Sequence, residues 1–495
     1  MRLRRLKQFD FKRLPVLGLC AVVAFLVTEV RIGAQTASRR PNILFIMSDD
    51  HAAQAISSYG SRINKTPNID RLALEGTRLT NTFVTNSICT PSRAAILTSQ
   101  YSHVNGVYTL DDPLNPSLHH VAHRLSKAGY QTAIIGKWHL HTDPTGFDYW
   151  NVLPGQGRYH DPILKEKGGQ DKVHKGHSTD VITDLSITWL KNRQASEPFF
   201  LMCHFKAPHR PWDPAEKHAQ LYADQEIPEP PTLFDHYANR SKAAANATLK
   251  IGEDMTKEDL KREKPPGLSG DALRKWAYQY YIKDYLRCVA SVDENVGRLL
   301  DFLGKAGLKD NTLVIYTSDQ GFFLGEHGYF DKRFMYEESL RMPFLVRYPR
   351  EIKAGTVNQD MVLNIDFAPT FLDYAGVSIP GNMQGRSIRP LLKGSTPKDW
   401  RTSMYYRYWM HLAHHGVPAH YGVRTQRHKL IYYYGQPLKM KGAIDKPTAP
   451  EWELFDLDND PQEMHNLYDS EAYSKVVREL KAELKRLRKE FGDRG

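Results

Sequence analysis

Four short apolar runs along this chain each end abruptly in polar residues. Asn42-Ile-Leu-Phe-Ile-Met47 empties into Asp49-Asp50, and Thr132-Ala-Ile-Ile135 into Gly136-Lys137-Trp138-His139. Phe199-Phe-Leu-Met-Cys203 gives way to His204 and then His209, and Leu313-Val-Ile-Tyr316 to Asp319-Gln320. Apolar runs of this length without polar alternation read as buried strands. The pattern changes near the end of the chain. Strand-like runs at 403–408, 422–425 and 430–434, then a hairpin and a terminal helix, predict a small antiparallel sheet plus helix. Gly394-Ser395-Thr396-Pro397 divides a main α/β domain, 39–393, from this C-terminal α+β subdomain, 397–495. The weakly periodic stretch from Trp212 to Leu273 predicts an insertion of loops and short helices near the site.

In open α/β sheets, ligands bind outside the carboxyl ends of the strands, so the four polar clusters are expected to converge. Asp49, Asp50 and Asp319, with the amide oxygen of Gln320, make an all-oxygen set. It suits a hard divalent cation such as Ca²⁺ and argues against zinc. A fifth segment, Cys89-Thr90-Pro91-Ser92-Arg93 running into Ala94, Ile96 and Leu97, predicts a helix with Thr90 as cap and Pro91 in its first position. Free N–H groups and the positive dipole end then lie beside the thiol, with Arg93 as a permanent charge.

Cys89-Thr-Pro-Ser-Arg-Ala-Ala-Ile-Leu-Thr resembles the sulfatase signature, in which the cysteine is oxidised after translation to formylglycine; Ser99 stands where that family usually has Gly. With Asp49-Asp50, Lys137 to His139, Pro208-His209, Asp319-Gln320 and the block Gly325 to Lys332, the chain resembles the formylglycine-dependent sulfatases of the alkaline phosphatase superfamily. Within them it is most similar to glycan sulfatases of the N-acetylglucosamine-6-sulfatase type. The resemblance implies an alkaline phosphatase-like fold, with a large mixed sheet flanked by helices. It implies a maturation enzyme acting on Cys89, and one Ca²⁺ held by Asp49, Asp50, Asp319 and Gln320 that also touches the Cys89-derived group. It further implies that Arg93, Lys137 and Lys332 hold sulfate oxygens, that His209 protonates the departing sugar oxygen, and that His139 helps expel sulfate; His204 is a second-rank alternative to His209. The expected activity is hydrolysis of carbohydrate sulfate esters. The alternatives are arylsulfatase or choline-sulfatase-like activity on small esters, or phosphonate monoester hydrolysis. Tyr405, Tyr406, His411, His414, His415 and His420 are expected to form a wall that recognises the sugar.

Charge adjusts this picture little. The net charge is +11 over 495 residues. Residues 1–34, basic and then apolar from Leu14 to Val27, read as a secretory leader, with an uncleaved anchor as the alternative. The expected location is therefore periplasmic or secreted, with no stable membrane span once the leader is removed. The remaining chain keeps 60 basic and 54 acidic residues. That mild excess would favour a polyanionic glycan; no nucleic-acid motif accompanies it, and the charges from Lys481 to Lys489 read as the outer face of the closing helix. Cys203 and Cys288 are left to pair or stay buried.

Overall fold

The computed structural model describes residues 40–495, so the leader expected at 1–34 lies outside the described residues. Eight strands precede and follow the long helix Gly270–Lys305: β1 Asn42–Ser48, β2 Thr77–Phe83, β3 Gln131–Lys137, β4 Tyr149–Leu153, β5 Ile163–Glu166, β6 Asp171–Val173, β7 Phe199–His204 and β8 Thr312–Ser318. β9 Phe323–Leu324 and β10 Phe330–Asp331 pair as a short antiparallel ribbon. β11 Arg341–Arg347, β12 Thr356–Asn358 and β13 Val362–Leu363 complete an eleven-stranded sheet of order β12-β2-β11-β8-β1-β7-β3-β4-β5-β6, with β13 paired to β2.

The sheet is mixed. β8, β1, β7, β3 and β4 run parallel, while β11 is antiparallel to both β2 and β8. Side chains alternate across a strand, and β1 shows both faces at work. Ile43, Phe45 and Met47 pack into one core with the helices Cys89–Thr98 and Phe367–Tyr374. Leu44 and Ile46 pack into the other with Pro67–Leu74, Ser178–Asn192 and Gly270–Lys305. Helices on both faces explain why the central strands are apolar without alternation.

β14 Ser403–Tyr408, β15 His420–Thr425, β16 His428–Tyr433 and β17 Glu451–Asp456 form a four-stranded antiparallel sheet. The helix Ser474–Glu490 buries Leu480, Leu484 and Leu487, one stripe at helical spacing, against it. The first core continues through this sheet, and residues 41–495 form one compact unit, so the C-terminal layer shares its interior with the larger one. Cys203 and Cys288 are buried and free. No helix of the described residues is long and apolar enough to cross a membrane.

Candidate active site

Asp49 and Asp50 follow β1, and Asp319 and Gln320 follow β8. The two strands are parallel with Ser48 opposite Ser318, so both polar pairs leave the sheet side by side. The Asp50 N–H donates to Asp319 Oδ1 at 3.2 Å. Asp50 adopts a left-handed backbone, φ 66°, supported from the long helix: the Tyr285 hydroxyl donates to the Asp50 carbonyl at 2.8 Å and accepts from the Ala52 N–H at 2.9 Å. Oxygens of Asp49, Asp50 and Asp319 lie within 4.8 Å of one another, all buried.

The helix Cys89–Thr98 faces this cluster end-on. It starts at Cys89, with Ile88 in the cap position and no side-chain cap. Thr90 is thus inside the helix rather than its cap; its hydroxyl lies 3.5 Å from His139 Nδ1. Cys89 Sγ is 3.5 Å from Asp49 Oδ1 and 3.9 Å from Gln320 Nε2. Ser92 donates to the Asp319 carbonyl and accepts from Asn364 at 3.1 Å, tying the helix to the strand end. Ser99 ends the helix at φ 57°, a conformation that glycine adopts without strain. Its hydroxyl stabilises the turn by donating to the Ile365 carbonyl at 2.6 Å and accepting from Gly385 N–H at 3.0 Å.

Three cations face the three acids. Arg93 reaches Asp319 Oδ2 at 2.9 Å and donates to the Lys137 carbonyl at 2.8 Å. Lys137 pairs with Asp49 and also donates to Gln156, while Lys332 lies 2.7 Å from both Asp50 oxygens. His209 Nδ1 faces the Arg210 carbonyl, and its Nε2 is 3.8 Å from Asp50 Oδ2. A cavity of about 230 Å³ opens on this group, lined by Cys89, His209, Lys332, Gln156, Arg210, Asp331, Arg333, His414 and His415, with Ile88 and Leu110.

The electrostatics reflect how closely the acids are crowded. Burial, then the neighbouring Asp49, push Asp319 up to about 8; burial raises Asp50 to about 6 against the pull of Lys332. Asp49 stays well below the usual range because Lys137, His209 and Arg93 outweigh its burial. Burial, then Asp49, hold the Cys89 thiol above its ordinary value. Burial, then Lys137, push His209 well below its ordinary value and His139 to about 2. A hard divalent cation fits this donor set: the carboxylates are close enough to share one ion, and the buried Gln320 Oε1 has no hydrogen-bond partner among the described residues.

Residues 41–377 match the family described as Sulfatase. The chain belongs to the sulfatase family. It is a sulfuric ester hydrolase on the alkaline phosphatase-like fold. Residues 325–490 of this sulfatase also match the family described as N-sulphoglucosamine sulphohydrolase, C-terminal. The chain is 44% identical to the N-acetylglucosamine-6-O-sulfatase of Bacteroides thetaiotaomicron over 92% of this chain and 88% of that one. It is 29% identical to human N-acetylglucosamine-6-sulfatase over 80% and 70%, respectively. A solved structure described as bound to its substrate D-glucosamine-2-N,6-O-disulfate superposes with a TM-score of 0.87 at 44% identity, over 92% of this sulfatase and 99% of that chain.

The histidine and tyrosine wall expected from the C-terminal segment needs correction. In the sulfatase, Tyr405, Tyr406, His411 and His420 are sealed inside, and only His414 and His415 line the cavity. The alternation of β14 and β15 turns Tyr406 and His420 into the core, where their rings stack 5.6 Å apart, and the His420 Nδ1 is satisfied by the Pro418 carbonyl at 2.8 Å. His204 also sits below the site: its Nδ1 is 3.2 Å from the Lys137 carbonyl and its ring packs on Phe45. Gln156 was missed. It lies just past a fifth parallel strand end, β4, in Pro154-Gly155-Gln156-Gly157, so the rule that singled out the other four clusters also applies to it.

Proposed function

We propose that this sulfatase hydrolyses the 6-O-sulfate of a glucosamine-type unit in a sulfated glycan. The observation that carries the reading is the convergence of three carboxylates and three cations around Cys89, which with His209 and Lys332 lines one cavity. The 44% identity to a protein named for N-acetylglucosamine 6-O-sulfate supports the choice of sugar. Cys89, converted to formylglycine by a maturation enzyme, supplies a hydrated aldehyde as nucleophile, and one Ca²⁺ held by Asp49, Asp50, Asp319 and Gln320, with the Cys89-derived group, supplies positive charge at the sulfate.

The chain's own side chains do the rest. Lys137 and Lys332, both buried, are positioned to take peripheral sulfate oxygens, where charge stabilisation is strongest. Arg93 orients Asp319. His209 keeps one tautomer by donating Nδ1–H to the Arg210 carbonyl, leaving Nε2 to exchange a proton with the leaving sugar oxygen. An arriving sulfate ester adds negative charge there and favours the protonated ring. His139, neutral beside Thr90, is the base for releasing the product. The leader directs the protein to the periplasm or the exterior.

Two measurements test this reading. Peptide mass spectrometry on the Cys89 fragment is expected to show the thiol replaced by an aldehyde. A panel of sulfated glucosamines is expected to release sulfate from the 6-O position; preference for a 2-O or 4-O ester, or for an aryl or choline sulfate, would overturn the choice of sugar.

A further inference from the structure

The C-terminal helix divides its charges by face. Arg486 gathers Glu483 and Glu490 on one side. Lys481, Lys485, Arg488 and Lys489 turn to the other and, with Arg494, line a groove of about 540 Å³. The one acid in the groove, Asp493, is buried, 2.6 Å from Arg407 through both its oxygens and 3.6 Å from Arg488 Nε, so Arg407 and Arg488 share it. Lys485, Lys489 and Arg494 are exposed and have no ionic partner among the described residues. Lys481 is held 4.5 Å above the Trp452 ring and 2.6 Å from the Tyr468 hydroxyl, and Arg488 sits 4.5 Å above Tyr421. Aromatic rings thus fix two of the cations before any ligand arrives, which lowers the ordering cost of binding an anion.

We infer that this groove is a docking surface for the sulfated glycan chain, separate from the reaction centre, with which it shares no lining residue. The inference rests on the sulfated-glycan reading of the substrate. A concave row of fixed and free cations complements a chain of sulfates. Trp452 stacks with Tyr432 and Tyr468, ring centroids 4.3 and 5.6 Å away, and also carries Lys481 over its ring, so it does not serve as a platform for nucleic-acid bases.

The test compares wild type with a K485A/K489A/R494A variant on immobilised heparin, on a sulfated monosaccharide and on heparan sulfate as polymer. The variant is expected to elute from heparin at lower salt and to show a polymer KM raised about tenfold, since three exposed ionic contacts are lost. Its monosaccharide kcat/KM is expected to be unchanged, which also shows that it is folded. Unchanged heparin retention and polymer KM would overturn the groove, as would an equal loss of retention on single-stranded DNA, which marks a general polyanion site. A retention shift in the variant without any 6-O-desulfation by the wild type leaves the groove standing and removes the substrate reading instead.

Discussion

The strand-end site and the C-terminal sheet are both rich in buried polar side chains, and they differ in what those side chains face. At the strand ends, three carboxylates crowd within 4.8 Å beside a cavity lined by Cys89, His209 and Lys332. In the C-terminal layer, acids meet cations and rings meet carbonyls in closed packing. Lys429 bridges Glu337 at 2.9 Å and Glu463 at 2.7 Å, Arg424 pairs with Glu337 at 3.0 Å, and His411 sits between the Lys446 carbonyl and the Ala419 N–H, both at 3.0 Å. Crowded like charges beside space indicate a site made to receive something; closed pairs indicate a fastening. Damage to the first should remove chemistry and spare the fold, and damage to the second should do the reverse.

The sharpest separation is expected from Cys89→Ala, which removes the proposed nucleophile and should lower kcat/KM by on the order of 10⁴-fold or more, with little change in melting temperature. A large loss of thermal stability would break the contrast from that side. Next comes Lys429→Met in the C-terminal layer. It removes the one ion pair that Glu463 makes among the described residues; burial already raises this carboxyl to about 7, so it can take up a proton, and the change is expected to cost about 1–3 kcal/mol of stability while the folded fraction keeps its kcat. Denaturant titration with active-site counting measures both. A smaller effect is expected from His209→Ala: about 10²-fold on sugar sulfates, whose alcohol needs a proton, and only a few-fold on an activated aryl sulfate. Equal losses on the two substrates would remove His209 as the acid.

The same contrast explains how much the sequence revealed. Asp49, Lys137, His209 and Asp319 were legible because each comes just after an apolar run, and parallel strands deliver the residues at their carboxyl ends to one edge of the sheet. The C-terminal histidines were misread because abundance carries no geometry. Antiparallel alternation buries Tyr406 and His420, whereas His414 reaches the cavity from a loop whose left-handed Leu412 and His414, φ 56° and 60°, no periodicity announces. Pairing between distant segments, as in Lys429 with Glu337, is set by packing alone.

The mildest test concerns a buried histidine on the fastening side. His327 is fully buried, with Nδ1 3.4 Å from Asp235 and Nε2 3.6 Å from Glu338. Burial, and Arg240 with its Nη2 3.0 Å from Nδ1, push its pKa down, but the two carboxylates win and raise it to about 9. A raised folded-state value means that the charged ring stabilises the native protein. That contribution is fully present below the ordinary value of about 6.5 and is lost as pH rises through about 9. Between pH 7 and 9 the loss should be on the order of 2 kcal/mol, readable as a fall in the denaturant midpoint. His327→Gln should be less stable at pH 7 and should flatten this part of the profile. A wild-type midpoint that is level from pH 7 to 9, or a variant with the same slope, would show that the ring is neutral in the native state and that Asp235 is held by Arg240 alone.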